Sequence, residues 1–344
     1  MKIIDLRSDT VTLPSDNMLD QLKKSKLGDD VYMEDITTNN LENLASDLTG
    51  KESALLVSSG TMGNLISFLV HCERGSEAIM GNKSHTFLYE SGGVSAYGGI
   101  HSHQLENNYD GTIDLKKIKN SIRTNDVHFP STRLISIENT HNKCYGFPLQ
   151  LDYIDKLSDI ANENNIKIHM DGARIFNASI SIGSSVKNIL KRIDSVSFCL
   201  SKGLGSPIGS IICGTNKFIS KARRIRKSLG GGMRQTGIIS SFGIYSLKNM
   251  IDRLKIDHSN AQYLAAHLSK LNFIDTKPEY VKTNIVYFKF KHSKPEFEKF
   301  LNYCKYNKIL FGIYSEGDCR MVTHCDITKD DIKYIVEKFS TYQL

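Results

Sequence analysis

Two stretches decide the fold: Ile166-Lys167-Ile168-His169-Met170-Asp171-Gly172-Ala173-Arg174 and, further along, Ser195-Val196-Ser197-Phe198-Cys199-Leu200-Ser201-Lys202-Gly203. Each opens with a short, largely apolar run of strand length and ends in a polar, glycine-containing loop. Between and before them lie helical patterns such as Leu151 to Asn164. Working outward, Ser53-Ala54-Leu55-Leu56-Val57 predicts a strand, Thr61 to Cys72 the helix after it, and Arg133-Leu134-Ile135-Ser136-Ile137 another strand. Strands alternating with helices argue for a mostly parallel sheet flanked by helices, an α/β fold.

From about Ile238 the texture changes. Ile238 to Leu271 carries long helical periodicity, with no proline and only Gly243 inside it. A strand over Asn284-Ile285-Val286-Tyr287-Phe288 follows, then a helix from Pro295, a strand near Ile309 and a last helix from Asp330. The expectation is a large domain over residues 1–245 and a smaller α+β C-terminal domain over 246–344, joined through a long helix. At 344 residues the chain exceeds what most single cores hold, which suits two units.

Apolar residues make up 40% of the chain and charged residues 24%, ordinary for a soluble globular protein. The 44 basic against 37 acidic side chains give a formal charge of +7, which favours small anionic ligands. It falls short of a dedicated nucleic-acid binder, so no DNA or RNA partner is expected. The basic stretch Lys217 to Lys227 has helical spacing and reads as a solvated or inter-subunit face. Seven cysteines form no C-x-x-C pair and no zinc spacing, which predicts buried free thiols in a reducing compartment. The N-terminus is charged too early for a signal peptide, and no run of about 18 apolar residues occurs. A cytoplasmic protein without a membrane partner is therefore expected. His101-Ser102-His103 would set two imidazoles on one strand face, but without a further ligand nearby no metal is expected.

In parallel α/β sheets, ligands gather outside the carboxyl ends of the strands. Three groups fall there. Ser59-Gly60-Thr61, where a strand turns into a helix, offers backbone N–H groups, a hydroxyl and a helix N-terminus to an anion, although capping alone would explain the same residues. Asp171 is a cap, a structural ion-pair partner or a functional carboxylate. Lys202 is a solvated loop residue or, between Ser201 and Gly203, an amine turned inward. Together they match what pyridoxal phosphate requires: an anion cradle, a carboxylate for the pyridine nitrogen and a lysine for the Schiff base.

Several segments strongly resemble the low-specificity L-threonine aldolases. They are Asp5-Leu6-Arg7-Ser8-Asp9-Thr10-Val11-Thr12, Gly28-Asp29-Asp30-Val31-Tyr32, Glu138-Asn139-Thr140-His141-Asn142, His169 to Asn177, Ser201 to Gly205 and Gly230-Gly231-Gly232-Met233-Arg234-Gln235. The resemblance spans essentially the whole chain and implies the aspartate-aminotransferase fold. One departure is Lys143-Cys144-Tyr145-Gly146, where many relatives carry a Gly-Gly pair.

The resemblance implies pyridoxal 5'-phosphate as cofactor, a Schiff base on Lys202, Asp171 at the pyridine nitrogen, and Gly60 and Thr61 at the phosphate. It places His85 against the cofactor ring, with Arg174 beside it and Arg234 reaching from a neighbouring subunit. Ser8, Arg174 and Arg320 would bind the substrate carboxylate, since a guanidinium fork matches two oxygens. The β-hydroxyl needs a base, and His85, His128 or a water they orient has a suitable pKa. His141 receives no role. The implied reaction converts L-threonine, L-allo-threonine and related β-hydroxy amino acids to glycine and an aldehyde, in a homotetramer whose sites are shared across a dimer interface. A different pyridoxal-phosphate reaction (β-elimination or racemisation) and a non-catalytic binding protein are the alternatives.

Overall fold

The computed structural model describes residues 2–343. After a first strand, β1 (Ile4–Leu6), the chain builds a seven-stranded sheet from β2 (Ser53–Val57), β3 (Glu77–Gly81), β4 (His101–Leu105), β5 (Thr132–Glu138), β6 (Lys167–Asp171), β7 (Ser195–Cys199) and β8 (Ser210–Gly214). Its spatial order is β2-β8-β7-β6-β5-β3-β4. Strands β4, β3, β5, β6 and β7 pair in parallel, and β8 runs antiparallel to both β7 and β2. The register sets Glu138 opposite Asp171 and Asp171 opposite Ser197, so the carboxyl ends of β5 and β6 are level and β7 runs on two residues to Cys199.

Burial on both faces explains the apolar strands: Ile79, Ile135, Ile168, Met170, Val196, Phe198 and Ile211 join one core cluster. Helices cover it with one apolar face each. In Leu151–Glu163 the buried positions are Ile154, Leu157, Ser158 and Ala161, a helical spacing. Helix Gly60–His71 starts where the Ser59 side chain accepts a hydrogen bond from the Met62 amide at 3.2 Å, which caps its first turn.

The second sheet contains β9 (Ile274–Thr276), β10 (Ile285–Phe290), β11 (Ile309–Ile313) and β12 (Asp318–Val322), in the order β1-β11-β12-β10-β9. It is antiparallel except where β1 pairs in parallel with β11. Phe273, Phe290, Phe300, Phe311 and Phe339 pack in its core, with Phe300 stacked on Phe290 at 5.0 Å between centroids. We propose 1–245 and 246–344 as the two units, with exchanges both ways: strand β1 crosses to complete the smaller sheet, and Leu247 and Leu254 pack in the large core.

Two features differ from the sequence expectation. The long periodic stretch from Ile238 is two helices, Gly237–Asn249 and Leu254–Leu268. They serve different cores: Leu247 packs in the large one, whereas Ala261, Leu264 and Leu268 pack in the small one. One straight helix could not present its apolar face to both. The basic stretch also turns partly inward. Arg226 is 2% exposed and pairs with Asp30, while Arg223 reaches Glu42 at 2.8 Å. These pairs tie helix Asn216–Ser228 to the Gly28–Tyr32 segment and to helix Ile36–Thr49.

Phe300 has no exposed surface and touches five rings, so Phe300→Ala should destabilise the smaller unit by about 3–5 kcal/mol. Equilibrium urea unfolding followed by circular dichroism measures it, and a loss under about 1 kcal/mol would contradict this packing.

Candidate active site

Three strand ends and the N-terminal segment converge on one site. Asp171 closes β6, 4% exposed, and one of its oxygens accepts a hydrogen bond from the Ala173 amide at 3.1 Å. Asn64, on helix Gly60–His71, donates to the other oxygen at 2.9 Å. The Gly172 amide donates to the Ser197 carbonyl at 2.8 Å, and a Cβ at Gly172 would stand 2.9 Å from that oxygen. Glycine is thus required where the strand ends pass.

Lys202 follows β7 in a tight loop. The Gly205 amide bonds the Lys202 carbonyl at 2.8 Å, with Gly205 in the left-handed region at φ +76°. Ser246 anchors this loop through the Leu204 carbonyl and the Ser206 hydroxyl, both at 2.8 Å. Among the described residues the Lys202 amine has no hydrogen-bond or ion-pair partner.

Asp9 lies beneath this loop, fully buried, with its carboxylate 3.8 Å from where a Cβ of Gly203 would stand. Arg174 grips Asp9 with two bonds, at 2.7 and 2.6 Å, and the Asn284 amide adds a third at 3.3 Å. Burial would raise the Asp9 pKa. The Arg174 ion pair, helped by Lys202 and Arg320, overcomes it and holds the carboxyl well below the usual range. Arg174, 6% exposed, is therefore fixed in place by Asp9 through its Nε and Nη2 edge.

Arg320, on β12, is 7% exposed. It donates to the Asn142 side-chain oxygen at 2.5 Å and to the Arg7 carbonyl at 3.0 Å, and its guanidinium lies 5.2 Å from the Tyr314 ring centroid. Its Nε is buried without a partner. Ser8 caps the short turn Asp9–Val11, its hydroxyl accepting from the Thr10 amide at 3.2 Å.

His85 opens the short helix His85–Leu88, where its amide donates to Glu138 at 2.7 Å. Its Nδ1 bonds Glu90 at 2.9 Å, and its ring is tilted against Tyr89 at 5.5 Å. Ligand atoms of His85, Glu90 and Asp171 lie within 4.8 Å of one another. Burial opposes charge on His85, but the Glu90 bond and the Asp171 charge outweigh it and raise the imidazole pKa. Burial likewise raises the Glu90 carboxyl. The pair therefore keeps a proton to higher pH than either group alone.

Gly60 and Thr61 begin their helix with unpaired backbone N–H groups, as an anion cradle requires. A Cβ on Gly60 would meet the Cys199 sulfur at 3.0 Å and the Ser210 hydroxyl at 3.9 Å. That hydroxyl is buried and lacks a partner. An uncovered helix N-terminus beside an orphaned hydroxyl, a buried carboxylate at the next strand end and an unpaired lysine fit the phosphate, ring nitrogen and aldehyde of pyridoxal phosphate.

Other expected residues lie elsewhere. His128 is on the loop 124–131, 81% exposed and bonded to Asp126 at 2.7 Å. No interaction among the described residues joins it to His85, Asp171 or Lys202, because Asp126 holds it on the surface. Arg234 is half-exposed and pairs with Asp29 at 3.1 Å, not with Gly60 or Thr61. His101 and His103 flank buried Glu77 together with Arg123, an ionic cluster at the sheet edge. His141 is buried with neither ring nitrogen hydrogen-bonded.

Sequence reading missed Asp9, Asn64, Glu90, Glu138 and Asn142. Glu138 accepts from both the His85 and Asn142 amides, and Asn142 in turn receives Arg320. Three of these residues stand inside recognised motifs, where position alone does not separate a brace from a binding group. Asn64 and Glu90 belong to no motif read above.

A parallel α/β sheet with these groups at its strand ends defines a pyridoxal-phosphate enzyme. A family model described as beta-eliminating lyase matches residues 5–291. The chain is 42% identical to low-specificity L-threonine aldolase 1 of Arabidopsis thaliana, covering 100% of this chain and 97% of that one. It is 39% identical to the low specificity L-threonine aldolase of Escherichia coli K12, over 99% of both chains. Threonine aldolase of Leishmania major shares the fold, with a TM-score of 0.83 over 98% of both chains at 19% identity. This chain belongs to the low-specificity L-threonine aldolases within the beta-eliminating lyase family.

Replacing Asp9 by alanine should destabilise the protein by about 3–5 kcal/mol, since Arg174 would stay buried and uncompensated. Because folding depresses the Asp9 pKa, its stabilisation is complete above the unfolded value of about 4 and is lost as pH falls toward the folded one. Urea unfolding across pH 2 to 7 should therefore show a smaller acid-dependent loss in Asp9→Asn than in the parent. Equal slopes would contradict the ion pair.

Proposed function

We propose that the protein cleaves L-threonine, L-allo-threonine and related β-hydroxy amino acids to glycine and an aldehyde with pyridoxal 5'-phosphate. The observation that carries this reading is the unpaired Lys202 amine in the loop after β7, whose charge acts on both Asp9 and His85, with Asp171 at the end of the neighbouring strand β6. Lys202 would hold the cofactor covalently, Asp171 would keep its ring nitrogen protonated, and the Gly60 and Thr61 amides would hold its phosphate. When bound, the cofactor accepts the electron pair released at the substrate Cα.

The remaining steps belong to side chains of this chain. Arg320 binds the substrate carboxylate: Asn142 and the Arg7 carbonyl fix its plane, and Tyr314 covers one part of it. Ser8 lies beside this position. Arg174 joins it: Asp9 takes the Nε and Nη2 edge of the guanidinium, and the Nη1 side is left for the substrate carboxylate. Fixing the carboxylate would orient the Cα–Cβ bond for cleavage.

Breaking that bond requires loss of the β-hydroxyl proton. His85 is the base we favour in this chain, acting directly or through a water, with Glu90 steadying its Nδ1 side. His128 reaches a site only from a neighbouring copy. Exposed Leu27, Val31, Tyr32, Met33 and Ile36 flank the Arg234–Asp29 pair, an apolar patch that supports an interface there and the shared-site homotetramer. No described helix is long and apolar enough to cross a membrane. A cytoplasmic location is our reading.

Glycine and aldehyde should form from threonine with purified protein and cofactor, and pyruvate with ammonia would instead overturn the aldolase reading. Lys202→Ala should lose both the visible absorption of the holoenzyme and glycine release. Arg320→Lys should raise KM for threonine about 10- to 100-fold with a smaller change in kcat, because a point cation cannot reproduce the fork. An unchanged KM would remove Arg320 from the carboxylate site.

A further inference from the structure

We infer that Asn64 is a positioning residue that aligns a buried hydrogen-bond chain on Asp171 and joins Asp171 to His85 through Glu90. This rests on the proposed role of Asp171, but its geometry stands independently. One end of the Asn64 amide faces two carboxylates, Glu90 at 2.8 Å and Asp171 at 2.9 Å. Carboxylate oxygens only accept, so that end is the NH2 group and both of its hydrogens are used. The other end is then the carbonyl oxygen, and its partners must donate: the Ser197 hydroxyl at 2.6 Å and His169 Nε2 at 3.2 Å.

The consequence propagates. His169 is completely buried, and burial brings its pKa down to about 3, so the imidazole is neutral. With its hydrogen on Nε2, its Nδ1 is a bare acceptor for the Ser195 hydroxyl at 2.9 Å. Ser195, having donated its only hydrogen, accepts from His71 Nε2 at 2.7 Å. Burial also lowers the His71 pKa, to about 4, leaving it neutral with its hydrogen on Nε2. Every donor from His71 to Asn64 therefore points inward, toward Asp171. Aligned dipoles of this kind reinforce one another and favour negative charge at the accepting end.

The same amide couples two functions. Asp171 would hold the ring nitrogen of the bound cofactor, whereas Glu90 bonds the His85 imidazole at 2.9 Å. A leucine at position 64 would keep the volume but deprive both carboxylates of a donor, and would release His169 from its single tautomer.

The test is direct nitrogen observation in apoprotein carrying 15N-labelled histidine, by long-range 1H–15N spectra at pH 7. His71 and His169 should each show a neutral ring protonated on Nε2. A ring protonated on Nδ1, or a charged one, at either position overturns the inference. In Asn64→Leu, with folding checked by circular dichroism, the His169 nitrogen shifts should move toward each other as both tautomers become populated. If His169 keeps a fully protonated Nε2 there, Asn64 does not set it and the inference fails. Should that variant not fold, Ser195→Ala serves: His169 should retain its Nε2 hydrogen while His71 loses its fixed tautomer, and the reverse result overturns the chain. None of these readouts requires the cofactor or turnover, so failure of the aldolase reading is seen separately, as absence of glycine.

Discussion

The buried carboxylate of Asp9 is the constraint around which the rest is arranged. A site that binds a phosphate, a carboxylate and an amine collects positive charge, and here Arg174, Lys202 and Arg320 all act on one fully buried acid. Unpaired cations at that depth would be costly. Asp9 compensates the cluster while consuming only Arg174, which it holds through two bonds. Lys202 stays free for covalent work, and Arg320 retains an unpaired Nε beside bonds to neutral oxygens. The N-terminal segment that carries Asp9 begins in β1, a strand of the smaller sheet. That explains why the chain crosses between units before building the large one: the acid is delivered between both.

Glu138 performs the second joining task. At the end of β5 it accepts the His85 amide and the Asn142 amide, and Asn142 receives Arg320 from β12. His85 and Arg320, the groups we propose for the β-hydroxyl and the substrate carboxylate, are thus referenced to one carboxylate on a rigid strand. Placing both on a sheet end, rather than on independent loops, keeps their separation fixed.

Much of the fold was legible because parallel strands buried on both faces read as apolar runs. Strands β2 and β7 match the predicted limits residue for residue, and β5, β6 and helix Leu151–Glu163 agree within one residue at either end. The break between Gly237–Asn249 and Leu254–Leu268 was invisible, because both halves share one helical period and only their different cores distinguish them. The crossing of β1 was equally hidden, since a strand's sheet is decided by distant partners. Within the site, the sequence exposed Gly60, Asp171 and Lys202, each following its own apolar run. Asn64 and Glu90 lie inside helical or loop stretches of mixed character, and their importance arises only from contacts with residues far along the chain.

His128 and Arg234 stand apart from the other expected site residues. Arg234 lies in a motif of the resemblance and His128 is a candidate base from the sequence, yet both are held on the surface, by Asp29 and Asp126. A surface ion pair contributes little to stability and is easily exchanged. Neither residue is anchored by its own fold as Arg174 or Arg320 is, so each can turn to another copy at small cost. The division is a physical one: Arg174 and Arg320 are fixed by buried bonds within the chain, whereas His128 and Arg234 are held only by surface pairs. Burial, more than resemblance, separates the two sets.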